Sequence, residues 1–215
     1  RNWDPDLISR GALLHGRTEI HGVEKMAFTT VAYFPQAGDT VIALSEAPLG
    51  WAVGEDIVLA GTDTADPLSD ESVTITAIDG SSVMIDRPLA RDHEPPRADL
   101  DVHVANLTRN VQFASENSGA LHRGHVMIMH TNDADLNYLA FDDLGRSNKI
   151  AGLNDWQIAS SDVEGQLGAA EVEDLGGSNV RGRYSLHFHR GGTDGDAARV
   201  NGAVVTDDPG WAYVN

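Results

Sequence analysis

The chain contains no cysteine. That excludes disulfides and thiolate metal sites, though it does not exclude secretion. Basic residues are scarce: 15 Lys and Arg stand against 33 Asp and Glu, a formal net charge of −18 over 215 residues. A field of that sign repels nucleic acid and anionic membranes, so neither is expected as a partner. It also repels acidic polysaccharide at long range. No apolar run reaches 18 residues, so no membrane span is expected. A recognisable leader segment is missing too. The chain opens on Arg1-Asn-Trp-Asp-Pro5 and stops on Trp211-Ala-Tyr-Val-Asn215, which reads as mid-strand, so a piece of a longer protein is expected.

What the chain does have is strands and turns. Ala37 to Leu44, Val53 to Ala60, Glu71 to Ile78 and Ser82 to Asp86 are apolar or alternating runs at roughly ten-residue spacing, the pattern of an all-β domain. Asp79-Gly80 between the last two predicts a hairpin. Trp51 is expected in the core. Arg87 to Arg97, with Pro88, Pro95 and Pro96, is the best linker candidate, and His93 within it is expected to face solvent. Beyond it, short strands recur with unequal loops: Val102 to Ala105, Asn110 to Phe113, His125 to Met129, Leu136 to Phe141, Tyr184 to His189 and Val200 to Val205. This succession fits a parallel β-helix, where each coil buries an apolar stripe against the next, and it equally fits a β-sandwich. Asn106 and Asn110 are candidates for an asparagine ladder. A long acidic insert at 146–180 suggests a calcium site, without any EF-hand spacing, and 161–175 suggests a short helix.

The strongest chemical signal lies in Arg181-Gly-Arg-Tyr-Ser-Leu-His-Phe-His-Arg190. With period two, Tyr184, Leu186 and Phe188 face one way, and Ser185, His187 and His189 the other. Two imidazoles on one strand face, roughly 7 Å apart, can reach one metal ion or one substrate group. The competing reading is a hydrogen-bonded histidine pair on a packed surface. In His125 to His130 the same alternation groups His125, Met127 and Met129 on one face, and Val126, Ile128 and His130 on the other. His15, His21, His103 and His122 read as structural or exposed.

In order along the chain stand Asn106-Leu-Thr-Arg-Asn-Val111, Arg123-Gly-His-Val-Met-Ile-Met129, Phe141-Asp-Asp-Leu-Gly-Arg146, Arg183-Tyr-Ser-Leu-His-Phe-His189 and Gly210-Trp-Ala-Tyr-Val214. This order resembles the parallel β-helix region of the family that includes the cell-migration-inducing hyaluronidase, the transmembrane hyaluronidase and the fibrocystin-like proteins. Ser185 and Leu186 stand where that family has Pro-Ile. Gly38 to Leu89 resembles the glycine-rich β domain that precedes the helix there, most clearly from Trp51 through Gly54-Glu-Asp-Ile-Val-Leu-Ala60 to Asp63. The bacterial secreted members are the most similar. The resemblance implies an all-β chain: a glycine-rich β domain over 1–95, flanking or capping a right-handed parallel β-helix over 96–215. It implies a secreted or cell-surface protein. Some relatives depolymerise hyaluronan and others have no enzymatic role to carry over, so family likeness leaves catalysis open.

Two functions follow as expectations. One is an extracellular polysaccharide-active protein, a hydrolase or lyase, that depolymerises a uronate-containing glycan through a histidine-centred groove. The other is a non-catalytic glycan-binding, protein-binding or spacing module. In the first, His187, His189, Arg146 and Asp142 carry the chemistry, while Arg190, Arg183, Trp211 and Tyr213 hold substrate. Trp211 and Tyr213 share a face, as a stacking platform or as core. Either His187, His189, His125 and His130 ligate a divalent ion, calcium or a transition metal, or no metal is needed. In the metal-free route a histidine or carboxylate takes a proton while Arg146 or Arg190 neutralises a uronate. A further chain or second copy is expected to cover the C-terminal end, where bare strand would otherwise expose unpaired backbone groups.

Overall fold

The computed structural model describes residues 10–119, 122–148, 150–152, 157–158, 172–173, 179, 182–192, 198–209 and 213–214. The described residues form strands and no helix. In chain order these are β1 (Gly11–His15), β2 (Thr18–His21), β3 (Phe28–Thr30), β4 (Val41–Ala43), β5 (Asp56–Leu59), β6 (Glu71–Asp79), β7 (Ser82–Ile85), β8 (His103–Asn106) and β9 (Val111–Ala114). There follow β10 (His125–Met129), β11 (Ala134–Asn137), β12 (Leu139–Asp142), β13 (Gln157–Ile158), β14 (Val172–Glu173), β15 (Leu186–His189), β16 (Arg199–Asn201), β17 (Val204–Thr206) and β18 (Tyr213–Val214).

Three sheets are wholly parallel. The first is ordered β1-β10-β15-β18, the second β16-β11-β2 and the third β17-β12-β9. The chain visits them in rotation: β10, β11 and β12 make one complete pass, and β15, β16 and β17 make the next. Inward residues from all three sheets share one core, including Val126, Ile128, Leu136, Leu139, Phe141 and Leu186. Phe113 and Phe141, in register on neighbouring strands, stack with ring centroids 5.6 Å apart.

The corners between sheets repeat. After the first sheet the backbone turns left-handed at Gly16 (φ 75°), His130 (φ 54°) and Arg190 (φ 53°). After the second it does so at Tyr138 (φ 56°) and Gly202 (φ 60°), and after the third at Asp143 (φ 50°) and Asp207 (φ 55°). A residue at positive φ breaks the two-residue alternation, which is how a continuous chain changes sheet. Every described non-glycine residue with positive φ stands at such a corner.

β13 and β14 pair antiparallel with each other, and the remaining six strands form an antiparallel sheet ordered β3-β8-β5-β6-β7-β4. The two edges of this six-stranded sheet meet. Val31 bridges Leu44, the Ala32 amide donates to Ala43 O (2.8 Å), and the Ser45 amide to Thr30 O (2.8 Å), so the sheet closes on itself. Closure leaves no open edge. A separate core fills it, built on Ile42, Leu44, Ile57, Leu59, Val73, Ile75, Val83 and Val104, with Trp51 donating its Nε1–H to Met26 O (2.6 Å). The β6–β7 hairpin turns at Gly80, as its sequence predicts.

This closed sheet is an insertion, not a preceding domain. β1 and β2 pair with β10 and β11, far along the chain, and β8 belongs to the antiparallel sheet. The division at residue 95 therefore differs from the structure, in which β3 to β8 lie between β2 and β9. Arg87 to Arg97 is not a linker either. Leu89 is buried and exchanges backbone bonds with Gly38 and Asp39. His93 is buried, not exposed. Its Nδ1 meets Ala60 O (2.9 Å) and its Nε2 meets Glu71 Oε1 (3.1 Å). Period arguments missed this because a loop residue buried by long-range bonds carries no periodic signal.

The join is a polar seam. Asn106 and Asn110 form no ladder. Asn106, fully buried, donates Nδ2–H to Glu55 (2.8 Å), and Lys25 donates to the other Glu55 oxygen (2.5 Å). Asn110 accepts from the Val23 amide (2.7 Å), tying the outgoing chain to the returning one. Arg109 fastens both sides, donating to Asn106 O (3.0 Å), Thr108 O (2.8 Å) and Gly202 O (2.8 Å). Burial alone would raise the Glu55 carboxyl, but bonds from Lys25, Asn106 and the Ala52 amide hold it below the usual range.

Candidate functional site

The outward positions of the first sheet fall into columns. Leu13, Met127 and His187 are in register, as are His15, Met129 and His189. At the adjoining corner His130 donates its amide to His189 O (2.9 Å). Because φ at 130 is positive, the His130 ring leaves the Val126–Ile128 face on which alternation placed it. It stands 6.0 Å, centroid to centroid, from both His15 and His189. His187 lies 5.2 Å from His189, edge to face, and Tyr184 lies 5.4 Å from His187. Four imidazoles thus form one continuous row across three strands.

The row runs from exposed to buried. His15 and His130 are exposed, His189 is half-buried and His187 is buried. The His187 Nδ1 lies 2.9 Å from Gly182 O; a carbonyl only accepts, so Nδ1 carries the proton and the tautomer is fixed. Burial, followed by the charges of Arg190, His130 and Arg183, holds His189 below the ordinary histidine value, so its ring is neutral at pH 7. Arg190, at the corner beside it, is exposed.

The other expected residues divide. Leu186 and Phe188 join the core, but Tyr184 packs on His187 instead. His125 is buried at the start of β10, with its Nδ1 3.3 Å from Arg146 Nη1. A guanidinium only donates, so that ring nitrogen accepts. Arg146 also donates to Arg123 O (2.7 Å) and is buried in the wall beside the row. Arg183 is buried in the same wall, its carbonyl accepting from the Arg146 and Ser147 amides. Asp142 is not with the histidines. It lies on the outer face of the third sheet, where Gln112 (3.2 Å) and Thr206 (2.5 Å) each bond one of its oxygens. Trp211 lies outside the described residues, and Tyr213 is described only as part of β18. The helix expected at 161–175 lies outside them too, and so does most of the acidic insert behind the calcium expectation.

Among the described residues no three His, Asp or Glu side chains are placed to hold one metal ion. His187, His189, His125 and His130 form no such group: the His125 Nδ1 faces a guanidinium, and the His187 Nδ1 donates to a carbonyl, which leaves its Nε2 toward the row. Sequence reasoning missed His15. Its signal was there, since His15-Gly16 ends a short apolar run as Met129-His130 and His189-Arg190 do, but only the pairing register reveals the equivalence.

No family model matches the chain. It is 28% identical over 183 residues to a G8 domain-containing protein of Dictyostelium discoideum, covering 83% of this chain and 13% of that protein. It is 24% identical over 176 residues to Communication mutant protein F of the same organism, covering 80% of this chain and 12% of that one. The chain therefore spans a small part of the curated relatives it matches. Among solved structures, the gp49 tailspike of Pseudomonas phage LKA1 superposes with a TM-score of 0.34 at 16% identity, over 62% of this chain and 23% of that one. The Gp54 tailspike of Acinetobacter baumannii bacteriophage AP22, solved with a capsular saccharide, gives 0.32 at 14%, over 60% and 22%. In sequence, then, this chain is similar to segments of G8 domain-containing proteins.

Proposed function

We propose that this chain is part of an extracellular or cell-surface protein that engages a uronate-bearing polysaccharide along the histidine row of its first sheet. We read the three parallel sheets as a parallel β-helix, and the chain as similar to the hyaluronidase and fibrocystin-like family. The rotation of the chain through the sheets and the order of the five motifs support that reading. The observation that carries the function is the row itself: His15, His130, His189 and His187 in contact, with Arg190 at the corner beside His189. Packing does not favour a row of imidazoles on a strand face, where β-branched residues fit better.

Chemically, the row offers a neutral imidazole, His189, next to a fixed cation, Arg190. A cation that neutralises a uronate carboxylate and a neutral base nearby are the elements of proton abstraction beside that carboxylate. Hydrolysis by a carboxylate pair has less support, because no carboxylate bonds the rings of His15, His130 or His189 among the described residues, and Asp142 is on another sheet. Plain binding uses the same groups without turnover. The test is a panel of uronate polysaccharides incubated with the protein, reading both retention on immobilised glycan and product size. Loss of both in a His130→Ala/His189→Ala variant that still melts cooperatively is expected. Unchanged retention and product size in that variant refute the site.

A further inference from the structure

The outer face of the second sheet is a different surface. Two columns of outward side chains lie in register across its strands: Glu19, Asp135 and Arg199 in one, His21, Asn137 and Asn201 in the other. Ile20, Ala134 and Leu136 alternate with them into the core. None of the six is buried. Parallel sheets are ordinarily covered on both faces, and this face is open.

Folding alone does not account for these residues. Glu, Asp and Asn are among the poorest strand formers, yet they fill four of the six outward positions. Glu19 and Asp135 are direct pairing partners, so two carboxylates lie side by side where like charge weakens a sheet. The outer positions of the third sheet mix small and apolar Ala114, Ala140 and Val204 with Gln112, Asp142 and Thr206, and carry one carboxylate where the second sheet carries two. The side chains are also pre-ordered. Asn137 donates to Asp135 (2.8 Å), His21 Nε2 lies 3.3 Å from the other Asp135 oxygen, Arg17 bonds Glu19, and Asn201 donates to the Tyr138 hydroxyl (3.3 Å).

We infer that this face binds an uncharged glycan strand lying across the three strands, one sugar per strand. The occupant follows from chemistry. Carboxylates and amides in fixed rows take and give hydrogen bonds to hydroxyls. The strand spacing of about 4.8 Å is close to the length of one pyranose unit along a polymer. Acidic polymers are disfavoured by Glu19, Asp135 and the net charge of −18. A protein partner is disfavoured because interface centres are depleted in Asp and Glu and enriched in aromatics, the reverse of this surface. The inference does not rest on the histidine row.

The experiment is calorimetric titration of the protein with cellohexaose, chitohexaose, mannohexaose and a hyaluronan hexasaccharide, and with shorter members of whichever neutral series binds. At least one neutral series is expected to bind, with affinity rising to three sugars and then levelling off. An Asn137→Ala/Asn201→Ala variant should bind it at least tenfold more weakly, while the His130→Ala/His189→Ala variant binds it as before. If the Asn variant melts early, Asn201→Ala alone, at an exposed position, should still weaken binding severalfold. Absence of binding by every neutral hexamer overturns the inference, as do unchanged affinity in the Asn variants or loss of neutral binding in the histidine variant. Failure of uronate binding alone refutes the histidine reading and leaves this one standing.

Discussion

At position 130 the backbone is left-handed and carries an imidazole (φ 54°). A side chain there costs roughly 1–2 kcal/mol in sterics. Glycine would relieve that while losing about 0.5–1 kcal/mol to chain entropy. His130→Gly should therefore leave stability unchanged or raise it by about 1 kcal/mol in denaturant melts, while retention of uronate glycan falls. A fall in both would mean that His130 holds the corner rather than a ligand. Gly11 is the opposite case. A Cβ there would lie 2.4 Å from His125 O and 2.6 Å from its Cε1, and the backbone oxygen cannot step aside. Gly11→Ala should cost about 1–3 kcal/mol, the range of an overpacked core. Glu55 and Glu71 set the acid response. Burial alone would raise Glu71, but the Ala90 amide, His93 and the Arg91 amide hold it below the usual range, as Lys25 and Asn106 do for Glu55. Both folded values are thus lower than the unfolded ones. Their contribution is complete above about pH 4.3 and is lost as pH falls through the folded values. Melting temperature should drop steeply below that pH, and Glu71→Gln should flatten the drop while lowering stability at pH 7.

Each group of strands has its own core, and the seam of Lys25, Glu55, Asn106 and Arg109 couples them. Phe141→Ala removes a fully buried ring from the parallel sheets and should cost about 3–5 kcal/mol there. Hydrogen exchange should then quicken in β9 to β12 and stay slow in β5 to β7. Arg109→Ala removes bonds on both sides of the seam. Calorimetry of that variant should resolve two transitions where the parent shows coupled unfolding; a single, uniformly lowered transition would mean that the two cores fold as one unit. The hairpin at Gly80 and the strands on either side of it were legible in sequence because turn chemistry and alternation are local. The placement of β1 and β2 was not, because they pair with strands about 115 residues later, and no local pattern encodes that partner.

For the whole molecule, the net charge of −18 opposes the approach of any anionic polymer. Uronate binding along the histidine row should therefore strengthen as salt rises from low values and screens that field, the reverse of an ordinary cationic glycan site. Binding of a neutral hexamer to the second sheet should show almost no salt dependence. Surface binding measured from about 20 to 300 mM salt separates the two, and a uronate affinity that falls with salt would mean that Arg183 and Arg190 outweigh the global field at contact range.

The sequence by itself determined the strand-rich class, the absence of thiol chemistry, the acidic field and the strand that carries His187 and His189, because composition and two-residue alternation are local properties. Only the tertiary structure decided the rest. Register across parallel strands brought His15 and His130 to that strand and set Asp142 on another sheet. Closure between Val31 and Leu44 turned a run of strands into an inserted closed sheet. Left-handed corners redirected side chains that alternation had assigned to the other face. Each of these depends on residues distant in sequence meeting in space, which the period of a single strand does not record.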